Sequence, residues 1–175
     1  MKKLLFTLSV FALLLITSCG KDDEVQVDIG VSGNLVFDGN EIVITDGLYG
    51  EISEGGEYAA TFFLSDAPIS FNAETEQANF QGDYLINVII YSQSESFESG
   101  NYNVATLDGE VSDKSSFVVV ADVNNASSGG VLAVDGTVNI QKSGDVFTLT
   151  FAIDFEGDTE LTGNATGNFE VVDIQ

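Results

Sequence analysis

Between Gly136 and Val172 the chain alternates apolar and polar residues almost without interruption. In the run Phe147-Thr148-Leu149-Thr150-Phe151-Ala152-Ile153-Asp154-Phe155 every odd position is large and apolar, and the even positions are Thr, Thr, Ala and Asp. A strand sends successive side chains to opposite faces, so this period of two predicts a half-buried strand with one oily face. Gly136-Thr137-Val138-Asn139-Ile140 precedes it, across a turn at Lys142-Ser143-Gly144-Asp145. Leu161 to Val171 follows it, across a turn at Glu156-Gly157-Asp158. The last run keeps the parity, with Leu161, Ala165, Phe169 and Val171 on one side and Thr162, Asn164, Thr166 and Asn168 on the other. The three runs predict an antiparallel meander.

The same pattern recurs upstream. Leu35 to Thr45 predicts a hairpin, with Asp38-Gly39 supplying the positive backbone angles of a two-residue turn. Tyr58, Ala60, Phe62 and Leu64 alternate with Ala59, Thr61 and Phe63 as a strand. In Asp83–Tyr91 the even positions Tyr84, Ile86, Val88 and Ile90 are clean core, while Leu85, Ile89 and Tyr91 leave the odd face largely apolar as well. Gly100-Asn101-Tyr102 opens a short strand, and Ser116 to Asp122 is a strand apolar on both faces. Between these runs, Asp46–Gly56 reads as an acidic, Gly-rich loop. Ser65–Gln81 reads as an irregular section with room for one helical turn. Ser92–Ser99, Leu107–Lys114 and Asn124–Gly130 read as polar loops.

Eight to ten strands with turn signals about every ten residues predict an all-β fold. An antiparallel β-sandwich is the expectation, with a closed lipocalin-like up-and-down barrel as the alternative. No dozen-residue helical pattern links the strands, which argues against parallel crossovers. The expected organisation is a leader at 1–18, a lipidated Cys with an acidic tether at 19–32, and one β domain at 33–175.

Charge narrows the partners. The chain holds 28 acids against five Lys, with no Arg and no His. Two of the lysines, Lys2 and Lys3, sit in the leader, so the rest of the chain carries a net charge near −25. Such a surface repels nucleic acid and anionic membrane alike.

The N-terminus reads as an address. Met1-Lys2-Lys3 is basic, and the mostly apolar run Leu4–Ile16 is too short to span a bilayer comfortably. Ile16-Thr17-Ser18-Cys19 then resembles the lipobox of bacterial lipoproteins. The resemblance implies cleavage before Cys19, a diacylglycerol on its sulfur and an acyl chain on its new amine. Cys19 is the single Cys of the chain, so no internal disulfide is available to it. Acyl burial contributes about 0.8 kcal/mol per CH₂, and more than one chain makes an anchor stable. Gly20-Lys21-Asp22-Asp23-Glu24 resembles the acidic tag of surface-exposed lipoproteins of the Bacteroidota, which marks them for the outer face of the outer membrane. Further along, Phe37-Asp38-Gly39-Asn40-Glu41, Gly100-Asn101-Tyr102, Gly144-Asp145-Val146-Phe147 and Gly167-Asn168-Phe169 resemble recurring elements of β-rich lipoproteins from that group. These are turn and core residues. The resemblance implies fold and location and carries over no catalytic residue.

The residue inventory limits the chemistry. Without His there is no Ser-His-Asp triad and no imidazole metal site. With Cys19 acylated there is no thiol nucleophile, and with no Arg there is no phosphate clamp. Ser128-Gly129-Gly130 lacks the Lys of a phosphate loop. Paired carboxylates hydrolyse glycosides when they face each other across a cleft, but no spacing here singles out a pair. The expectation is therefore a protein that is not an enzyme and needs no cofactor. Calcium is the more plausible inorganic ligand, since it takes several oxygens from carboxylates and loop carbonyls, with Asp154–Asp158 and Asp122-Val123-Asn124-Asn125 as candidate loops.

One candidate ligand patch emerges from the second apolar faces: Leu85, Ile89 and Tyr91 on one strand with Val118 and Val120 on another. The expected function is a cell-surface, lipid-anchored binding or structural lipoprotein of the outer membrane, with a protein or glycan as partner. Two alternatives stand beside it. One is a lipocalin-like carrier of a small apolar ligand. The other is a glycan-binding module, which needs an exposed platform from Tyr49, Tyr58, Tyr84, Tyr91 or Tyr102.

Overall fold

The computed structural model describes residues 30–72, 77–106, 111–123 and 130–172. The leader, Cys19, the acidic tag and most of loop Asn124–Gly130 lie outside them. The described chain contains thirteen strands and no helix of α type, so the fold is all-β. In chain order these are β1 (Ser32–Phe37), β2 (Asn40–Ile44), β3 (Asp46–Glu54), β4 (Glu57–Ser65), β5 (Ile69–Asn72), β6 (Gln77–Phe80) and β7 (Tyr84–Ser92). They continue with β8 (Gly100–Val104), β9 (Ser115–Asp122), β10 (Val131–Ser143), β11 (Val146–Phe155), β12 (Glu160–Asn168) and β13 (Glu170–Val171).

Eleven of them form one curled sheet in the order β13-β3-β4-β7-β9-β8-β10-β11-β12-β1-β2. The chain itself joins the two margins. β2 runs into β3 through the single residue Thr45, whose N–H donates to the Ser65 carbonyl. β12 runs into β13 through Phe169, and β13 then pairs with β3. The curl brings β3 and β4 opposite β11, as two layers of a sandwich would be. Tyr49 and Phe62 lie 4.8 and 5.2 Å, centroid to centroid, from the Phe147 ring.

The meander is β10–β11–β12, in register from Thr137↔Ala152 and Ala152↔Thr162 outwards. Its inner face is fully buried at Leu149, Ile153 and Leu161. The hairpin β1–β2 turns at Asp38 (φ 50) and Gly39 (φ 75), the pair of positive angles a two-residue hairpin turn requires. β1 lies close against β12 because of Gly163. Its φ is +116, and a Cβ there would stand 2.3 Å from the Asn34 carbonyl oxygen, so only glycine fits.

Four expectations need correction. Asp46–Gly56 is not a loop: Asp46–Glu54 is a nine-residue strand, paired along its whole length with β4. Its neighbours on both sides supply what its Gly-rich composition lacks. Ser65–Gln81 is not wholly irregular and shows no helical turn in its described part. Ile69–Asn72 and Gln77–Phe80 pair as a second, two-stranded sheet. The sheet is mixed, not purely antiparallel, because β8 pairs parallel with β9 and β13 parallel with β3. Residues 107–110 of the connection from β8 to β9 lie outside the described residues. Finally, Val171 breaks the parity of the last run: it is 68 % exposed, because the chain bends at Phe169 to begin β13.

The small sheet β5–β6 covers the outer face of the β3, β4, β7 and β9 half. Phe71, Ala78 and Phe80 pack there on Leu48, Phe63, Ile69, Leu85 and Ala121. Buried Asp46 fastens it. One carboxylate oxygen accepts the N–H of Gly47 at 2.8 Å and the other accepts that of Ile69 at 2.9 Å.

Among the described residues nothing covers the other half of the outer face, and acids line one margin of it. Asp135 lies directly opposite Asp154 on β11, and Asp154 lies opposite Glu160 on β12. All three are exposed. Like charges facing each other across strands cost roughly 0.2–1 kcal/mol. Asp154→Asn is therefore expected to raise stability by about that amount in urea melts at low salt, with the gain shrinking at high salt. A loss of stability would mean that these carboxylates do not repel.

Candidate functional site

β3 and β4 carry the site at one open end of the curled sheet. Tyr49, Glu51 and Ser53 share the inner face of β3 by strand parity, and Tyr58 lies directly opposite Ser53 on β4. Tyr49 and Tyr58 are each 2 % exposed, while Glu51 reaches solvent at the strand end. Both tyrosine hydroxyls converge on one oxygen of Glu51 and on each other. Tyr58 donates to Glu51 Oε2 at 2.7 Å, and Tyr49 donates to the same oxygen.

Two distant segments complete the rim. Loop residue Phe97 packs edge-on to Tyr58 at 6.4 Å and to Phe147 at 5.4 Å. The loop is pinned to β3 by Ser53 Oγ, which donates to the Glu95 carbonyl at 2.9 Å. Lys142, at the end of β10, holds its Nζ 4.7 Å from the Phe147 ring centroid, a cation–π contact. Glu51, Ser53, Tyr58, Glu95, Ser96, Phe97 and Lys142 together line an open pocket of about 430 Å³.

The electrostatics of the pocket run in one direction. Partial burial would push the Glu51 carboxyl up, but the hydrogen bonds from Tyr49 and Tyr58 and the charge of Lys142 outweigh it. The carboxyl is held below the usual carboxylate range. Burial, reinforced by Glu51, drives the phenols of Tyr49 and Tyr58 far above the ordinary tyrosine value. At neutral pH Glu51 is a fixed acceptor and the two phenols are fixed donors. With Lys142 and the half-buried ring of Phe97, the pocket offers one cation, ionised acceptors, hydroxyls and an apolar wall.

The structure divides the patch expected from sequence between two faces. Val118 and Val120 are fully buried on the inner face, opposite Val88 and Ile86. Leu85, Ile89 and Tyr91 lie on the outer face, opposite Ala121, Phe117 and Ser115. Leu85 is buried under β5–β6, and Ile89 and Tyr91 are half-buried. The five residues form no common surface, because the register pairs Val118 and Val120 with even positions of β7, whereas Leu85, Ile89 and Tyr91 are odd and point to the opposite face.

The tyrosine platform is absent as well. Tyr49, Tyr58 and Tyr102 are core residues, and Tyr84 and Tyr91 stand at opposite ends and on opposite faces of β7. In the Asp154–Asp158 segment the acids bracket a turn with left-handed angles at Gly157 (φ 78) and Asp158 (φ 62). Of the second candidate calcium loop, Asn124 and Asn125 lie outside the described residues. Among the described residues no group of three or more His, Cys, Asp or Glu is placed to hold a metal ion.

The pocket itself escapes a reading of the sequence, since Asp46–Gly56 looks like a loop and its partners lie some 40 to 90 residues further on. The usable signals were the alternation Tyr49, Glu51, Ser53 and the rarity of lysine. Comparison of the chain with protein-family models, with curated proteins and with solved structures finds no match in any of the three.

Proposed function

We propose that the protein is a lipid-anchored β domain displayed at the outer membrane, where it binds a partner and performs no turnover. The anchor rests on the leader and the Ile16-Thr17-Ser18-Cys19 sequence. Binding without turnover is supported by one observation above all, the tuning of the rim pocket. A general acid or base works best with a pKa near the operating pH. Here Glu51 is shifted down and Tyr49 and Tyr58 are shifted up, all away from neutrality. Groups tuned in this way recognise hydrogen-bonding ligands and hold their protons still. The carrier alternative has less support. A carrier needs an unfilled interior, and Phe62, Phe147 and Phe169 meet between the layers at centroid distances of 5.2 to 5.9 Å.

The test uses the full chain expressed in a diderm bacterium. Protease added to intact cells is expected to remove the body, and the mass of the mature N-terminus is expected to show acylated Cys19. Cys19→Ala is expected to move the protein out of the membrane fraction. A body protected from protease until the cells are broken, or a bare Cys19, would overturn the reading.

A further inference from the structure

The uncovered half of the outer face has an unusual chemistry for so acidic a molecule. One cross-strand row runs Asn101, Asn139, Thr150, Asn164, Asn34 over strands β8, β10, β11, β12 and β1, each residue directly opposite the next. All five point outward, and all but the half-buried Asn139 are exposed. The next outward position on either side along each strand is also uncharged, as at Thr148 and Thr166 or Ala152 and Thr162. Charge returns at the margins, with Asp135, Asp154 and Glu160 at one and Glu41 of β2, directly opposite Val36, at another. With strands ~4.8 Å apart and same-face residues ~6.7 Å apart, the neutral field measures about 19 by 13 Å.

Two features separate this field from an ordinary solvated face. Asn is disfavoured in strands, so four of them in one row is costly to the sheet. A chain with 28 acids also has ample charge with which to solvate an outer face. In addition, several side chains of the field are bonded to one another. Asn139 Nδ2 donates to Asn101 Oδ1 at 2.6 Å, Gln141 Nε2 donates to Asn139 Oδ1 at 3.1 Å, and the Thr148 and Thr166 hydroxyls are bonded at 2.9 Å. The amides and hydroxyls bonded in this way lose little entropy on binding.

We infer that this face is a docking surface for a neutral, polyhydroxylated chain, that is, an uncharged polysaccharide, held by hydrogen bonds to amides and hydroxyls in place of the stacking platform that the tyrosines do not form. Charge complementarity selects that occupant. Phosphate- or sulfate-bearing partners are repelled by the body's net charge. A basic partner would seek the acids and not a field without them. A second copy would bring two strongly negative bodies together. A neutral glycan meets none of these penalties, and its hydroxyls match amide and hydroxyl partners as both donors and acceptors. The inference goes beyond the rim pocket to a second surface, and it depends neither on that pocket nor on the anchor.

The test applies the full-length lipoprotein in detergent to insoluble cellulose, chitin and cross-linked dextran, with carboxymethyl-cellulose and chitosan as charged controls. Retention on at least one neutral polysaccharide is expected, unchanged from low to high salt because no ion pair is involved. Thr150→Glu, which places a charge in the middle of the row, is expected to cut retention by about tenfold or more while the melting temperature stays near that of the parent. Thr150→Val keeps the β-branched shape and removes only the hydroxyl; it is expected to weaken retention severalfold, and it serves as the test if Thr150→Glu fails to fold. No retention on any neutral polysaccharide overturns the inference. So does retention that both variants leave intact, or sedimentation showing that the row instead mediates self-association. These failures are distinguishable from failure of the anchor, which the protease and mass measurements read separately.

Discussion

Phe147→Ala is expected to lower the stability of the domain by about 3–5 kcal/mol, the range for removing a large ring from a well-packed core. Phe147 projects inward from β11 and is 3 % exposed. Its ring lies 4.8 Å from Tyr49 on β3, 5.2 Å from Phe62 on β4, 5.4 Å from Phe97 in the 93–99 loop and 5.9 Å from Phe169 before β13. These neighbours come from both halves of the curled sheet, so the cavity left by alanine opens between the layers where neither strand can close it alone. Lys142 also loses the ring beneath its ammonium. In urea the midpoint is expected to fall with the slope unchanged. Phe147→Leu, which keeps most of the volume, is expected to cost less. A loss below about 1 kcal/mol for the alanine variant would mean that the two layers are not held together at this ring.

Much of the architecture was legible because the core-facing strands are amphipathic in a simple way. The meander, the β1–β2 hairpin and the even face of β7 follow from period two alone, since one face of each is buried and the other wet. Illegible parts have identifiable physical causes. β3 is stabilised by pairing with β4 along its whole length and with β13 at its start, and its own residues carry a weak strand propensity. β5 and β6 are four residues each, too short for alternation to stand out. The parallel β8–β9 pairing, Asn103 with Ser115 and Val104 with Ser116, is a long-range register that local pattern does not record.

The sites were less legible than the fold. Leu85 and Val118 are both apolar residues on doubly apolar strands, and nothing in either strand tells which face of one aligns with which face of the other. The register Val88↔Val118 decides it and separates them. The rim pocket draws Glu51, Phe97 and Lys142 from three segments that only the closed curl brings together. The neutral field, in contrast, was half visible: Thr162, Asn164 and Thr166 alternate openly. Its other half, on β8 and β1, becomes apparent only once the strand order is known.

Alkaline unfolding in a single step, with tyrosinate absorbance and loss of strand signal rising together between about pH 10 and 12, is the second large effect expected. The chain has five tyrosines, and three of them, Tyr49, Tyr58 and Tyr102, belong to the main core. Burial, with the nearby charge of Glu98, pushes the Tyr102 phenol up to about 12. Burial and the Glu51 carboxylate push Tyr49 and Tyr58 higher still. An unfolded tyrosine ionises near pH 10. The folded state therefore holds these protons after the unfolded state has released them. The resulting stability is present in full below pH 10 and is lost as pH rises through the folded values. Each such tyrosine removes up to about 1.4 kcal/mol per pH unit, so three acting together exhaust a typical stability of 5–15 kcal/mol within a few units. Tyr102→Phe is expected to make the fall in stability above pH 10 shallower by about one proton. At neutral pH it is expected to cost about 1 kcal/mol for the hydrogen bond to the Glu98 carbonyl. If instead all five tyrosines titrate smoothly near pH 10 while the strand signal persists, the phenols lie in water, and the packing of β3 and β4 against β11 is wrong.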